Sequence, residues 1–159
     1  MQIKIIKTIK YIVSSLLIAG AVSRSSAGLA IAIATGKTDK SNDTDIKYFI
    51  EDSGPENNGY KAETTARAAF KDYYAGHVAI YKLSQYPYCR SSGTLKSGFY
   101  CVIANNYRNY ANESVTKYAF GFSDVSLDAA EKDAVKELQR RNWSWKESDG
   151  YDVEKRGSF

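Results

Sequence analysis

Few side chains in this 159-residue sequence are of the types that drive covalent chemistry: one histidine, His77, and two cysteines, Cys89 and Cys101. His77 is the one conventional base for a serine nucleophile at Ser91, Ser92 or Ser97, and no Gly-x-Ser-x-Gly elbow surrounds any of the three. Placed directly after Gly76, behind a helical stretch, the imidazole suits the carbonyl end of that helix instead. A carboxylate such as Glu113 is the other base on which a small hydrolase can be imagined. Gly36-Lys37-Thr38 matches the tail of a phosphate-binding loop, but the position five before Gly36 is Ile31, where that loop needs glycine. Asp39, Ser41, Asp43 and Asp45 alternate oxygen-bearing side chains as calcium ligands do. Thr44 nevertheless stands where the sharp turn needs glycine, and Glu51 comes one place after the twelfth position, which Ile50 holds. The stretch therefore reads as a solvated acidic loop. Zinc finds only one histidine and two cysteines that pairing would remove. The expectation is a protein with no metal, no cofactor and no catalytic residue, not an enzyme.

What remains is binding chemistry. The sequence has 13 tyrosines and two tryptophans, and aromatic side chains of this kind anchor protein interfaces and stack on sugars. Tyr86-Pro87-Tyr88 opens the central loop, Tyr107 and Tyr110 follow it, and Trp143 and Trp145 lie two apart behind the second helix. Trp143 reads as a cap on the core, leaving Tyr86, Tyr88, Tyr110 and Trp145 as the candidate partner-binding residues. Cys89 and Cys101 are one even pair, and in an oxidising compartment they predict a disulfide, the alternative being two buried free thiols. The bond would stabilise the fold by about 3 kcal/mol in the chain-entropy account and remove any thiolate nucleophile. It would also brace the 84–98 loop, so that less conformational entropy is lost when that loop binds.

These residues must be positioned by regular elements. An Ala/Ile run over 28–35 is short enough for a buried strand, 37–45 is polar and aperiodic, and 46–50 reads as a second strand. After the breaker cluster Gly54, Pro55, Asn57, Asn58 and Gly59, the residues Ala62, Ala66, Ala69, Phe70 and Tyr73 recur at helical spacing. Residues 77–83 alternate and are rich in Val, Ile and Tyr, a third strand. The order then repeats: strands at 99–107 and 117–123, a helical face of Leu127, Ala130, Ala134, Val135 and Leu138, and a closing strand at 151–155. Ser126 is a good N-cap for that helix, Asp128 and Glu131 suit its first turns, and Arg140 and Arg141 suit its last. Sliding one half over the other by 65 residues sets Ala62, Ala69, Phe70 and Tyr73 against Leu127, Ala134, Val135 and Leu138. The prediction is an α+β domain built from a duplicated strand-strand-helix-strand unit (28–83 and 99–157), with two helices on one face of a mainly antiparallel sheet.

The first ten residues carry Lys4, Lys7 and Lys10 without an acid, and 11–22 is apolar apart from Ser14, Ser15 and Gly20. That run is too short for the roughly 20 residues of a membrane span, and small residues follow at Ser23, Ser25, Ser26 and Ala27. Residues 1–27 therefore read as a cleavable signal peptide, which places a single mature domain, 28–159, in the periplasm or outside the cell with no membrane span. The leader's Lys4, Lys7, Lys10 and Arg24 account for the whole formal charge of +4, since without them the 22 basic residues become 18, equal to the 18 acidic ones. A neutral domain lacks the basic footprint of nucleic-acid binding.

The opening Leu29-Ala30-Ile31-Ala32-Ile33-Ala34, the 62–70 helix, Cys89 with Cys101-Val102-Ile103-Ala104, and Tyr118-Ala119-Phe120-Gly121 leading into 126–138 resemble the domain of unknown function 4189 family of small exported bacterial proteins. The family's further cysteines are replaced here by Tyr74, Tyr110 and Asn142. The resemblance implies a periplasmic immunity protein that blocks a cell-wall-degrading toxin. The functional expectation is accordingly an exported binding or inhibitor protein whose partner is a lytic enzyme or toxin. The alternatives are a cell-wall or surface-glycan binder that uses Trp143 and Trp145 as a stacking platform, and a small hydrolase.

Overall fold

A computed structural model describes residues 29–37, 44–75 and 87–159. The described elements run β1 (Ile31–Gly36), β2 (Lys47–Asp52), α1 (Gly59–Tyr74), β3 (Tyr88–Ser91), β4 (Phe99–Arg108), β5 (Ser114–Ser123), α2 (Leu127–Arg141) and β6 (Asp152–Ser158). Short 3-10 turns lie at Gly54–Glu56 and Glu147–Asp149. The fold is α+β, with both helices packed on antiparallel strands as the periodicity predicts.

The strands form two three-stranded ladders, ordered β2-β1-β3 and β5-β4-β6. In each, the first strand is central, the second returns beside it as a hairpin, and the strand after the helix takes the other flank. The duplicated unit is thus visible in the pairing itself. The strand expected at 77–83 lies outside the described residues. The flank of β1 is taken instead by Tyr88–Ser91, within the stretch read as a loop, because four residues are too few to register as an alternating pattern.

Side-chain alternation along the central strands sorts the core into layers. Ala32 and Ala34 of β1 face α1, where they meet Ala62 and Ala66, while Ile33 points the other way, onto Val102 and Phe120. On β4 the pattern repeats: Cys101 and Ile103 face Ala130, Ala134 and Leu138 of α2, and Val102 faces inward. Each helix covers the outer face of its own sheet, and the two inner faces close on each other in a helix-sheet-sheet-helix stack. Asn58 accepts from the Lys61 N–H at 2.8 Å and Ser126 accepts from the Ala129 N–H at 3.1 Å, capping the two helices. Aligning the caps sets Ala62, Ala66 and Phe70 against Ala130, Ala134 and Leu138, all fully buried. The sequence comparison, which matches apolar steps without anchoring the caps, is three residues out of this register. Gly121 lets α2 approach its sheet closely: a Cβ there would stand 2.0 Å from the Ala130 carbonyl oxygen.

Cys89 and Cys101 are free thiols, so the expected disulfide is not formed. The layers explain why. Cys89 packs beneath α1 and Cys101 beneath α2, on the outer faces of different sheets. Burial pushes the Cys89 thiol up to about 12 and the Cys101 thiol up to about 11, which leaves neither as a nucleophile near neutral pH.

The two units are tied along the open edge of β5. An edge strand presents unpaired backbone groups, and here side chains and backbone from around it fill them. The Asp45 N–H donates to the Thr116 carbonyl at 2.8 Å, and the Asp45 carboxylate accepts from the Tyr118 N–H at 2.9 Å. Arg141 donates to the Tyr118 carbonyl, Arg90 donates to the Phe120 carbonyl, and the Asp133 carboxylate accepts from the Phe122 N–H at 2.9 Å. The same four side chains form two ion pairs that cross between the units, Arg90–Asp133 at 2.9 Å and Arg141–Asp45 at 3.0 Å. Asp45, expected in a solvated loop, is therefore buried, its charge matched by a guanidinium from the far end of α2.

Candidate functional site

The tip of the β4-β5 hairpin is built around Asn109. Its side-chain oxygen accepts from the Ala111 and Glu113 N–H groups at 2.9 and 3.0 Å, and its amide donates to the Glu113 carboxylate at 3.0 Å. Asn112 takes the left-handed conformation (φ 59) that closes the turn, which asparagine tolerates better than most residues. Arg108 donates to the Asn112 carbonyl at 2.8 Å, laying its guanidinium along the tip. Tyr110 projects from this braced turn and is fully exposed. Glu113, the imagined carboxylate base, is part of the brace.

Opposite the tip lies the turn that leaves α2. Asn142 caps the helix and is buried, with its amide donating to the Asn105 side-chain oxygen at 3.3 Å. The Asn105 amide in turn donates to the Gly150 carbonyl at 3.2 Å. The same carbonyl accepts from the Trp145 indole N–H at 2.9 Å, which holds Trp145 in the core beside Tyr151. Pinning Trp145 inward leaves Trp143 outward: Trp145 is 6% exposed and Trp143 is 87% exposed. The sequence assignment of this pair is thus reversed. Trp145 is not available to a partner, and Trp143 is.

Residues 107–110 and 141–144 wall a cleft of about 400 Å³. The hairpin side contributes Tyr110, Asn109 and Arg108 to the lining, and the turn after α2 contributes Trp143 and Ser144. A second concavity of about 360 Å³ is lined by both strands of the hairpin and shares Tyr107 and Arg108 with the first.

Of the remaining predicted partner residues, Tyr86 lies outside the described residues. Tyr88 belongs to the seam between the units: its ring stacks on Phe120 at 5.7 Å between centroids, the Arg141 guanidinium sits over the ring 3.9 Å from its centroid, and its hydroxyl donates to Glu137. Burial, and next the bond to Glu137, push its phenol well above the usual tyrosine range. Tyr88 is a structural residue rather than a presented one. Two of the three candidate nucleophiles also have structural partners: Ser91 donates to Glu63 at 2.9 Å, and Ser92 donates to the Leu95 carbonyl at 2.8 Å. His77 lies outside the described residues. Among the described residues no cluster of three or more His, Cys, Asp or Glu side chains could hold a metal ion, and no helix is long and apolar enough to cross a membrane.

Tyr110, a candidate from the sequence, lines this cleft together with Trp143, which the sequence offers only for a glycan platform, and with Arg108 and Asn109, which it does not single out. The Asn109 to Asn112 spacing was a turn signal that could have placed the tip. No protein-family model, curated protein or solved structure matches the chain.

Proposed function

We propose that the protein is an exported, non-enzymatic binding protein of the inhibitor or immunity type, and that it engages a protein partner through the cleft between the hairpin tip and the Trp143 turn. The observation that carries this reading is the pairing of Tyr110 and Trp143, both exposed, across one cleft that also holds Arg108. Trp, Tyr and Arg are the residues most enriched among interface hot spots. Both walls are braced by internal hydrogen bonds, so little ordering is left to oppose association. The amino-terminal leader and the resemblance to the domain of unknown function 4189 family support an exported partner active on the cell wall. Capture with tagged mature protein from native periplasm should recover one stoichiometric protein, and that protein's wall-degrading activity should fall in the complex. Recovery of no protein would sink this reading.

A second reading has its own observation. An aromatic from each side of the cleft with an amide and a hydroxyl in the same lining, Asn109 and Ser144, also suits a sugar ring. Co-sedimentation with purified cell wall, lost in Trp143→Ala, would favour it.

A further inference from the structure

We propose that the cleft recognises a carboxylate-bearing segment of the protein partner and that Arg108 is the residue that meets the carboxylate. The proposal rests on the cleft being the partner-binding surface and adds the chemistry of what enters it. The lining contains two guanidinium groups, Arg108 and Arg141, and no Asp or Glu. Arg141 is already matched: it pairs with Asp45 at 3.0 Å and donates to the Tyr118 carbonyl, and its side chain is only 13% exposed. Arg108 is different. It is exposed, and its hydrogen-bond partner is the neutral Asn112 carbonyl, which fixes the guanidinium without cancelling its charge.

The other described arginines show how unusual this is for the fold. Arg67 lies near Glu63, Arg90 near Asp133, Arg140 near Glu137, Arg141 near Asp45 and Arg156 near Glu131. Among the described residues no carboxylate lies within ion-pair distance of Arg108. A guanidinium held in place, sharing the cleft lining with Tyr110 and Trp143 and with no carboxylate within ion-pair distance among the described residues, is complementary to a planar carboxylate, which it can bind through two parallel N–H donors. An acidic side chain on an extended or looped segment would place its carboxylate on Arg108 and its backbone between the two aromatic rings.

The test uses the tryptophan emission of the mature protein, since Trp143 lies in the cleft and Trp145 is buried. Poly-L-glutamate should shift or quench the emission saturably, and the apparent affinity should weaken as salt rises. Arg108→Gln should weaken binding by at least about fivefold, whereas Arg140→Gln, outside the cleft, should match wild type. No response to poly-L-glutamate, or an Arg108→Gln titration identical to wild type, overturns the proposal. A response to chitin oligosaccharides without one to poly-L-glutamate also overturns it and gives the cleft to a glycan. If a captured protein partner is lost by Tyr110→Ala/Trp143→Ala but kept at full affinity by Arg108→Gln, the carboxylate assignment fails and the binding surface stands. If the double variant keeps the partner as well, the surface itself fails.

Discussion

Trp143 and Trp145 sit two residues apart and have opposite environments because, among the described residues, the Trp145 indole N–H alone meets an internal acceptor, the Gly150 carbonyl. A buried indole without that partner would carry the cost of an unmade hydrogen bond. Trp145→Ala should therefore destabilise the fold by about 3–5 kcal/mol in urea titrations, whereas Trp143→Ala should leave the midpoint nearly unchanged and remove the emission that acrylamide quenches readily. The thiols make a pH prediction. Their ordinary pKa of 9.0 rises to about 12 for Cys89 and about 11 for Cys101, so the folded state holds both protons more tightly than the unfolded chain does. The stability this represents is complete below about pH 9 and is lost as pH climbs from there through 11 and 12. Urea midpoints should fall across that window, less steeply in Cys89→Ala, and neither thiol should react with a thiol reagent at pH 8 until the protein unfolds. Rapid labelling of the folded protein would contradict the burial of Cys101 and the partial burial of Cys89. Residue-level chemistry was partly legible in the sequence: Tyr110, a candidate from its residue type, is exposed, but nothing local distinguishes the two tryptophans, because the acceptor at Gly150 is supplied by a turn that forms only in the fold.

At the scale of elements, the helices were the most legible parts because each carries a cap, a 3.6-residue apolar stripe and, in α2, acidic and basic ends. The strand Tyr88–Ser91 was not legible. Its partners are β1 and the seam, so its place is fixed by residues far away in sequence rather than by its own pattern. Gly121 shows how tightly α2 and β5 meet, and Gly121→Ala should cost about 1–3 kcal/mol or more, since the added methyl strikes helix backbone rather than a movable side chain. The seam gives a sharper test. Arg141 is 13% exposed and Asp45 is 3% exposed, so Arg141→Leu leaves a buried carboxylate without its partner and should cost about 3–5 kcal/mol. The double variant Arg141→Leu/Asp45→Leu should recover part of that loss. Equal stability of wild type and Arg141→Leu would mean that the pair does not close the β5 edge.

At the scale of the whole fold, the described residues form one unit used twice, each helix on its own sheet, with the two sheets joined through Ile33, Val102 and Phe120 and locked by ion pairs that cross between the units. The duplication was readable from the order of elements, but the two-sheet stack was not. Alternation along a strand says that both faces are buried without saying what buries each. The cleft belongs to the second unit alone, where the longer β4-β5 hairpin reaches past the core to face the Trp143 turn. One measurement tests that assignment most directly: the affinity of the captured partner for wild type, for Tyr110→Ala/Trp143→Ala, and for Tyr60→Ala, which removes an exposed aromatic on α1 away from the cleft. If each cleft aromatic is a hot spot of about 2 kcal/mol and the two losses add, the double variant should bind about 1,000-fold more weakly, while Tyr60→Ala binds as wild type does. Wild-type affinity in the double variant would show that the partner is held elsewhere.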